Sequence, residues 1–285
     1  MMQKFAIRAE KLRIRYSRSP HNAVDGIDLA VAPGEVFGLL GPNGAGKSTT
    51  QKVLTGQHRE FSGAAEVLGR PVGDYGRDLY ERIGVGFELP AYFPRLTARE
   101  NLAAFAKLFR RPTMTPAEAL AAVGLEHAAD QRAATFSKGM KMRLNLARAM
   151  LHRPDALFLD EPTSGLDPAG AAAVRAVIRT QAEAGRTVLL TTHDMPAVEE
   201  LCTRVAFMRA GAIVALDTPR NLRRAYGAPS VVAEYAEHGR LKTADFPAPN
   251  DPGLIALLAT GDVRTVHTRE AALADVFIAV TRTTP

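Results

Sequence analysis

The sequence predicts an α/β fold with a mainly parallel sheet and helices on both faces. Three observations carry that prediction. Apolar runs of strand length alternate with helical segments through most of the chain. Residues 41–50, GPNGAGKSTT, fit G-x-x-x-x-G-K-[ST], with the apolar strand pattern EVFGLL before them and the helical pattern STTQKVLTG after them. A second apolar run, ALFLD, ends in the adjacent acids Asp160 and Glu161.

In chain order, residues 4–16 alternate with period two and read as strand, and SRSPHN is loop chemistry. Residues 26–35 read as a second strand closing on a Pro33-Gly34 turn, and 62–72 as a short strand pair. IGVGF is a strand. The proline-rich loop after it ends at Thr97, an N-cap with Glu100 as its capping-box partner. Helical periodicity covers 98–128 with a break at RRPTMTP, and Ser137 opens an amphipathic helix that Pro154 stops. A helix ending at Gly185, the apolar strand 187–194, a helix around 195–203, two strands about Gly211 and a helix near 219–226 follow. From Ala228 the character changes. VVAEY and DVRTVHT read as strands, 252–259 and 269–280 as helices, and the proline-rich 243–253 as a link between them.

With 285 residues, 46% hydrophobic and 23% charged, the chain is ordinary for a soluble globular protein. No run approaches the roughly 18 apolar residues that span a bilayer. The N-terminus alternates charged and apolar residues, unlike a signal peptide. One cysteine, Cys202, excludes an internal disulfide framework and suits the cytosol; it reads as a small buried hydrophobe. A net charge of +6 permits anionic partners, but the basic residues are spread along the chain. The seven histidines show no zinc-ligand spacing.

The chemistry concentrates in a few places. The 41–50 loop is a phosphate cradle: Gly41, Pro42, Asn43, Gly44, Ala45 and Gly46 turn backbone N–H groups onto phosphate oxygens, and the helix dipole adds positive potential. Lys47 reaches the β- and γ-phosphates, with Thr49 in the same turn, and the Ser48 hydroxyl ligates Mg²⁺. Asp160 at a strand end holds the same metal. Glu161 faces elsewhere and is placed to take a proton from water. His193 ends a strand where it meets the γ-phosphate. Ser137 and Gly139 form a second anion site at a helix start, which is surplus within one chain. Tyr16 either stacks on a nucleotide base or packs on the sheet.

Together these residues resemble the ATP-binding subunit of ATP-binding cassette transporters, over about residues 4–226. GPNGAGKST looks like its Walker A loop, SKGM (residues 137–140) like its signature motif and LFLDEP like Walker B. SGLD, ending in Asp167, looks like its D-loop, and TTHD supplies the switch histidine His193. The resemblance implies a phosphate-loop NTPase core with an antiparallel β subdomain and a helical signature subdomain at about 90–152. The nucleotide-binding domain is then 1–227, with a small C-terminal α+β extension at 228–285. It implies ATP and Mg²⁺, Glu161 as catalytic base, and Tyr16 as the adenine-stacking aromatic. It also implies two copies closing head to tail, each ATP capped in trans by Ser137, Gly139 and Asp167 of the other. The remaining partner is an integral membrane permease, which holds the subunit at the cytoplasmic face of the membrane. Direct nucleic-acid binding is not expected.

Three positions depart from the pattern. Glu88 stands where the family has glutamine, in the loop that meets Mg²⁺ and the permease; a carboxylate still ligates the metal. Lys138 and Met140 replace a glycine and a glutamine of the signature. The loop YFPRLTAREN, the SKGM form and the ending ALADVFIAVT resemble the exporter branch. A soluble ATPase of the same family acting on nucleic acid or ribosomes is the rival, but it carries two cassettes or a long coiled coil. An unrelated phosphate-loop kinase or GTPase leaves SKGM, SGLD and His193 together unexplained, and a non-enzymatic regulatory cassette does not need Glu161 and His193.

Overall fold

The computed structural model describes residues 5–17, 19–227 and 230–282. Its elements run β1 (Ile7–Ile14), β2 (Val24–Val31), β3 (Val36–Leu40), α1 (Lys47–Leu54), β4 (Ser62–Val67), β5 (Arg70–Pro71) and β6 (Ile83–Gly86). Then come α2 (Ala98–Ala106), α3 (Pro116–Ala121), α4 (Lys138–Met150), β7 (Ala156–Asp160), α5 (Pro168–Glu183), β8 (Thr187–Thr192) and α6 (Met195–Leu201). The chain continues through β9 (Arg204–Arg209), β10 (Ala212–Asp217), α7 (Pro219–Tyr226), β11 (Ser230–Glu237), β12 (Arg240–Phe246), α8 (Pro252–Ala259), β13 (Val263–Arg269) and α9 (Leu273–Arg282).

Contacts divide the chain into two compact units, Met1–Leu216 and Asp217–Pro285. Sequence reading divides it at 227/228; the units part before α7, because α7 packs on α9. In the first unit a six-stranded sheet has the order β10-β9-β3-β8-β7-β6, with β9, β3, β8, β7 and β6 parallel to one another. Strands β3 and β8 are buried at every residue, the pattern of a parallel sheet covered on both faces. A four-stranded antiparallel sheet, β2-β1-β4-β5, adds its alternate residues Ile7, Ala9, Leu12, Ile27 and Leu29 to the same core as Phe37, Leu39 and Phe158.

The helices α2, α3 and α4 pack on one another beside β6. Thr97 caps α2 with the full capping box to Glu100, worth about 1 kcal/mol. Asn101, buried in the first turns of α2, fixes the preceding loop. Its amide donates to the carbonyls of Phe93 (3.0 Å), Leu96 (3.3 Å) and Thr97 (2.9 Å), and its carbonyl accepts from Phe93 N–H (2.7 Å). One side chain thus satisfies the backbone of a whole turn.

In the second unit β12-β11-β13 form an antiparallel sheet. Helix α8 packs Leu254 and Leu257 on Val231, Ala233, Phe246 and Val263 of one sheet face. Here the sequence reading needs correction. Residues 243–246, read as linker, lie in β12 and pair with β11 through to Phe246↔Val231. The prolines at 247 and 249 follow the strand rather than interrupt it. The last helix starts at Leu273, not 269, because β13 runs through Arg269.

Candidate functional site

Strand β3 delivers the loop 41–46, and α1 carries it away. Only glycine fits at two of its corners. A Cβ at Gly41 would lie 2.6 Å from the Met208 carbonyl oxygen, and one at Gly46, where φ is +105°, 2.5 Å from that of Ala23. At Gly44 the opposite holds: nothing stands within 4 Å of where a Cβ would be, so the space over the loop is open. Lys47 is only 7% exposed. Its ammonium donates to the carbonyls of Gly41 (2.7 Å) and Pro42 (3.3 Å), and among the described residues no carboxylate forms an ion pair with it. A nearly buried cation held by neutral carbonyls under an open glycine loop fits a polyanion.

Asp160, at the end of β7, accepts from Ser48 Oγ at 3.3 Å and, in a short hydrogen bond, from Thr191 Oγ1 of β8. Among the described residues no cluster of three or more His, Cys, Asp and Glu exists to cage a metal. One hydroxyl and one carboxylate beside a phosphate cradle suit Mg²⁺, which takes few protein ligands and completes its shell with phosphate oxygens and water.

Glu161 turns away from Asp160 through a left-handed backbone, φ +46°. Its side chain is nearly buried, and Oε1 accepts from Nδ1 of His193 at 3.0 Å, while His193 N–H donates to Oε2 at 3.4 Å. An ionised carboxylate only accepts, so Nδ1 carries the proton and Nε2 is left for a ligand. Thr163 Oγ1 donates to Asp194 at 2.7 Å, tying the segment after Glu161 to the one after His193. Asp194 in turn caps α6.

The other expected residues lie elsewhere. Ser137 caps α4 by accepting from Met140 N–H at 3.2 Å, and a Cβ at Gly139 would meet nothing within 4 Å. Asp167 occupies the N-cap position of α5, yet its side chain makes no capping bond. No hydrogen bond joins Ser137, Gly139 or Asp167 to the phosphate loop among the described residues. Glu88 is exposed in the loop after β6, and among the described residues no hydrogen bond or ion pair joins it to Ser48 or Asp160. Tyr16 Oη lies 3.3 Å from Thr49 Oγ1, and its ring lies against His58, centroids 5.3 Å apart, rather than on the sheet.

Several working residues escape sequence reading. Thr191 follows the apolar TVLL run and marks only a strand end, and His58 lies in a loop past α1. Arg148 lies between the rings of Phe87 (5.5 Å) and Phe105 (5.0 Å). It donates to the carbonyls of Ala91 (3.1 Å) and Val85 (3.2 Å) and to Asn145 (3.0 Å). Burial without a carboxylate partner pushes its guanidinium down to about 10. It lines an open groove of about 340 Å³ with Tyr80, Val85, Phe87, Phe105 and Phe109.

Comparison with known proteins agrees with this geometry. Residues 24–164 match the ABC transporter family. The chain is 48% identical over 279 residues to a fluoroquinolones export ATP-binding protein of Mycobacterium tuberculosis, covering 96% of this chain and 93% of that one. It is 40% identical to a daunorubicin resistance ATP-binding protein of Streptomyces coeruleorubidus, covering 84% and 76%. Among solved structures, a Clostridium perfringens subunit that is part of an ABC transporter complex superposes with a TM-score of 0.69 at 30% identity, over 79% of this chain and 93% of that one. The dimeric post-hydrolysis state of an ATP-binding cassette with ADP and Pi shares the fold, with a TM-score of 0.67 at 23% identity over 74% and 98%.

Proposed function

The chain belongs to the ABC transporter family, and from that premise we propose that it hydrolyses ATP to power export through a separate integral membrane permease. The observation that carries the reading is the Glu161–His193 pair together with a phosphate loop whose lysine is held by carbonyls, with no carboxylate partner among the described residues. The loop N–H groups and Lys47 hold the triphosphate, and Tyr16 stacks on the base. Ser48 and Asp160 hold Mg²⁺, which when bound offsets charge on the phosphates. Glu161 takes a proton from the attacking water, and His193 keeps the carboxylate oriented for it. Thr191 fixes Asp160, so the two adjacent acids keep separate tasks.

Ser137, Gly139 and Asp167 serve the ATP of a second copy of this chain. Two features support this: the open space over Gly139, and an Asp167 that its own helix does not use. Glu88 lies in the loop 88–97 toward the permease, where it adds a charge at the exposed start of that loop. The domains are read as a nucleotide-binding part and a C-terminal accessory part, and the subunit sits at the cytoplasmic face of the membrane through its permease. No described helix is long and apolar enough to cross a membrane. The relatives named for fluoroquinolones export and daunorubicin resistance make small-molecule drugs the first cargo to test.

The groove around Arg148 supplies a docking place for a permease helix, with an aromatic floor and a half-buried cation. Phe105→Glu is expected to weaken permease association by about 30-fold, the loss typical of an interface anchor. ATP turnover by the isolated chain should stay unchanged. Co-purification with the permease and ATPase assays of the free subunit read the two effects. A protein wholly in the soluble fraction, with ATPase stimulated by DNA or RNA, would overturn export in favour of the soluble rival.

A further inference from the structure

Tyr16 stands beyond the support of its strand. β1 ends at Ile14, and Tyr16 lies in the turn after it, where Ser19 N–H donates to its carbonyl at 2.9 Å. The residue is 38% exposed. A ring in a surface turn has several rotamers open to it, and fixing one of them on binding costs affinity. A stacking platform therefore works best when its ring is already held.

Two contacts hold this one. Tyr16 Oη lies 3.3 Å from Thr49 Oγ1, in the first turn of α1. The ring also meets the imidazole of His58, with centroids 5.3 Å apart and planes tilted by 54°. That separation, with a tilt between the planes, is what an aromatic pair prefers over a flat sandwich.

His58 is itself anchored. Gly56 turns the chain back at the end of α1 with φ +71°, the left-handed conformation usual after a helix. Gln57 N–H and His58 N–H then both donate to the Lys52 carbonyl, at 2.8 and 3.0 Å. The imidazole is thus tied to the far end of the helix that begins with Lys47, Ser48 and Thr49. Its Nε2 is buried and has no hydrogen-bond partner among the described residues. A polar contact therefore does not explain its placement, whereas the ring contact does.

We propose that His58 is a positioning residue for the nucleotide base: it backs one side of the Tyr16 ring and leaves the other free to stack on adenine. The proposal rests on the reading of Tyr16 as the stacking ring. Helix α1 then serves both ends of the nucleotide. Its first turn takes the phosphates, and the loop at its far end braces the platform for the base.

ADP binding to the full chain, followed by calorimetry, tests it, because ADP carries the base and is not turned over. His58→Ala should weaken ADP binding about 3–10-fold, the share of affinity that an unfixed side chain gives up. His58→Gln keeps a polar group but no ring and should match alanine. His58→Phe keeps a ring and should bind ADP within about twofold of the native chain. In a Tyr16→Ala chain, His58→Ala should add no further loss, since the ring it braces is gone. Inorganic tripolyphosphate has no base, and its inhibition constant against ATP hydrolysis should be the same for His58→Ala as for the native chain. In steady-state turnover the loss should fall on KM rather than on kcat. A His58→Ala chain that binds ADP like the native one, that loses as much in the Tyr16→Ala background, or whose inhibition by tripolyphosphate weakens in step with its ADP binding, would overturn the proposal. So would a folded His58→Phe chain no better than alanine. Native ADP affinity in Tyr16→Ala alone would overturn the stacking reading beneath it.

Discussion

Glu161→Gln is expected to cut ATP turnover by about 10²–10⁴-fold while leaving ATP bound, the usual cost of losing one general base. Glutamine keeps the shape of Glu161 and its contact with His193 Nδ1, 3.0 Å away in the native chain, but takes no proton. Asp160 holds Ser48 and Thr191 independently, so the metal side of the site is spared. Bound ATP then persists and holds two chains together. Size-exclusion chromatography should show a larger species with ATP that reverts when ATP is removed. Adding Ser137→Arg should abolish that ATP-dependent gain without abolishing ATP binding, because Ser137 makes no contact with its own phosphate loop. A double variant that gains as much as the single one removes Ser137 from the trans site. Turnover at the native rate in Glu161→Gln would remove Glu161 as the base.

Gly84→Ala should have the largest effect on stability. Gly84 lies in β6 under α4. A Cβ there would overlap the Ala149 carbonyl oxygen of α4 and stand 2.7 Å from Leu157 Cδ2 on β7. The oxygen belongs to helix backbone, so the whole of α4 must move off the sheet. Overpacking of this kind costs about 3 kcal/mol, and the melting temperature should fall by about 6–12 °C. Gly73→Ala is the control: nothing stands within 4 Å of its Cβ position, and it should shift stability by less than about 0.5 kcal/mol. Equal melting temperatures for the two variants would show that α4 yields more easily than its backbone contact implies.

Much of the fold was legible because its signals are local. The phosphate loop, the Thr97 capping box, the Ser137 cap and the acids ending ALFLD each declare themselves within about ten residues. The unread parts depend on contacts distant in sequence. Thr191 matters because β8 pairs with β7, and no nearby residue says so. Arg148 looked like one more base on an amphipathic helix; its carbonyl partners are 57 and 63 residues away. Asn101 was hidden for another reason. Its contacts are local, but an asparagine inside a helix gives no pattern until the loop folds back over it. β12 was missed because prolines just beyond its end drew the whole segment into a link.

The open space over Gly139 has a consequence for mixtures of variants. Its own fold does not need a glycine there, so Gly139→Asp should leave a stable subunit whose damage falls on the ATP of its neighbour. Lys47→Ala damages only the ATP of the chain that carries it. Either protein alone assembles with both of its nucleotide sites spoiled. A pair made of one of each concentrates both lesions in one site and leaves the other whole. Two inactive preparations, combined, should therefore hydrolyse ATP, and the two lesions should complement like defects in separate genes although they lie in one.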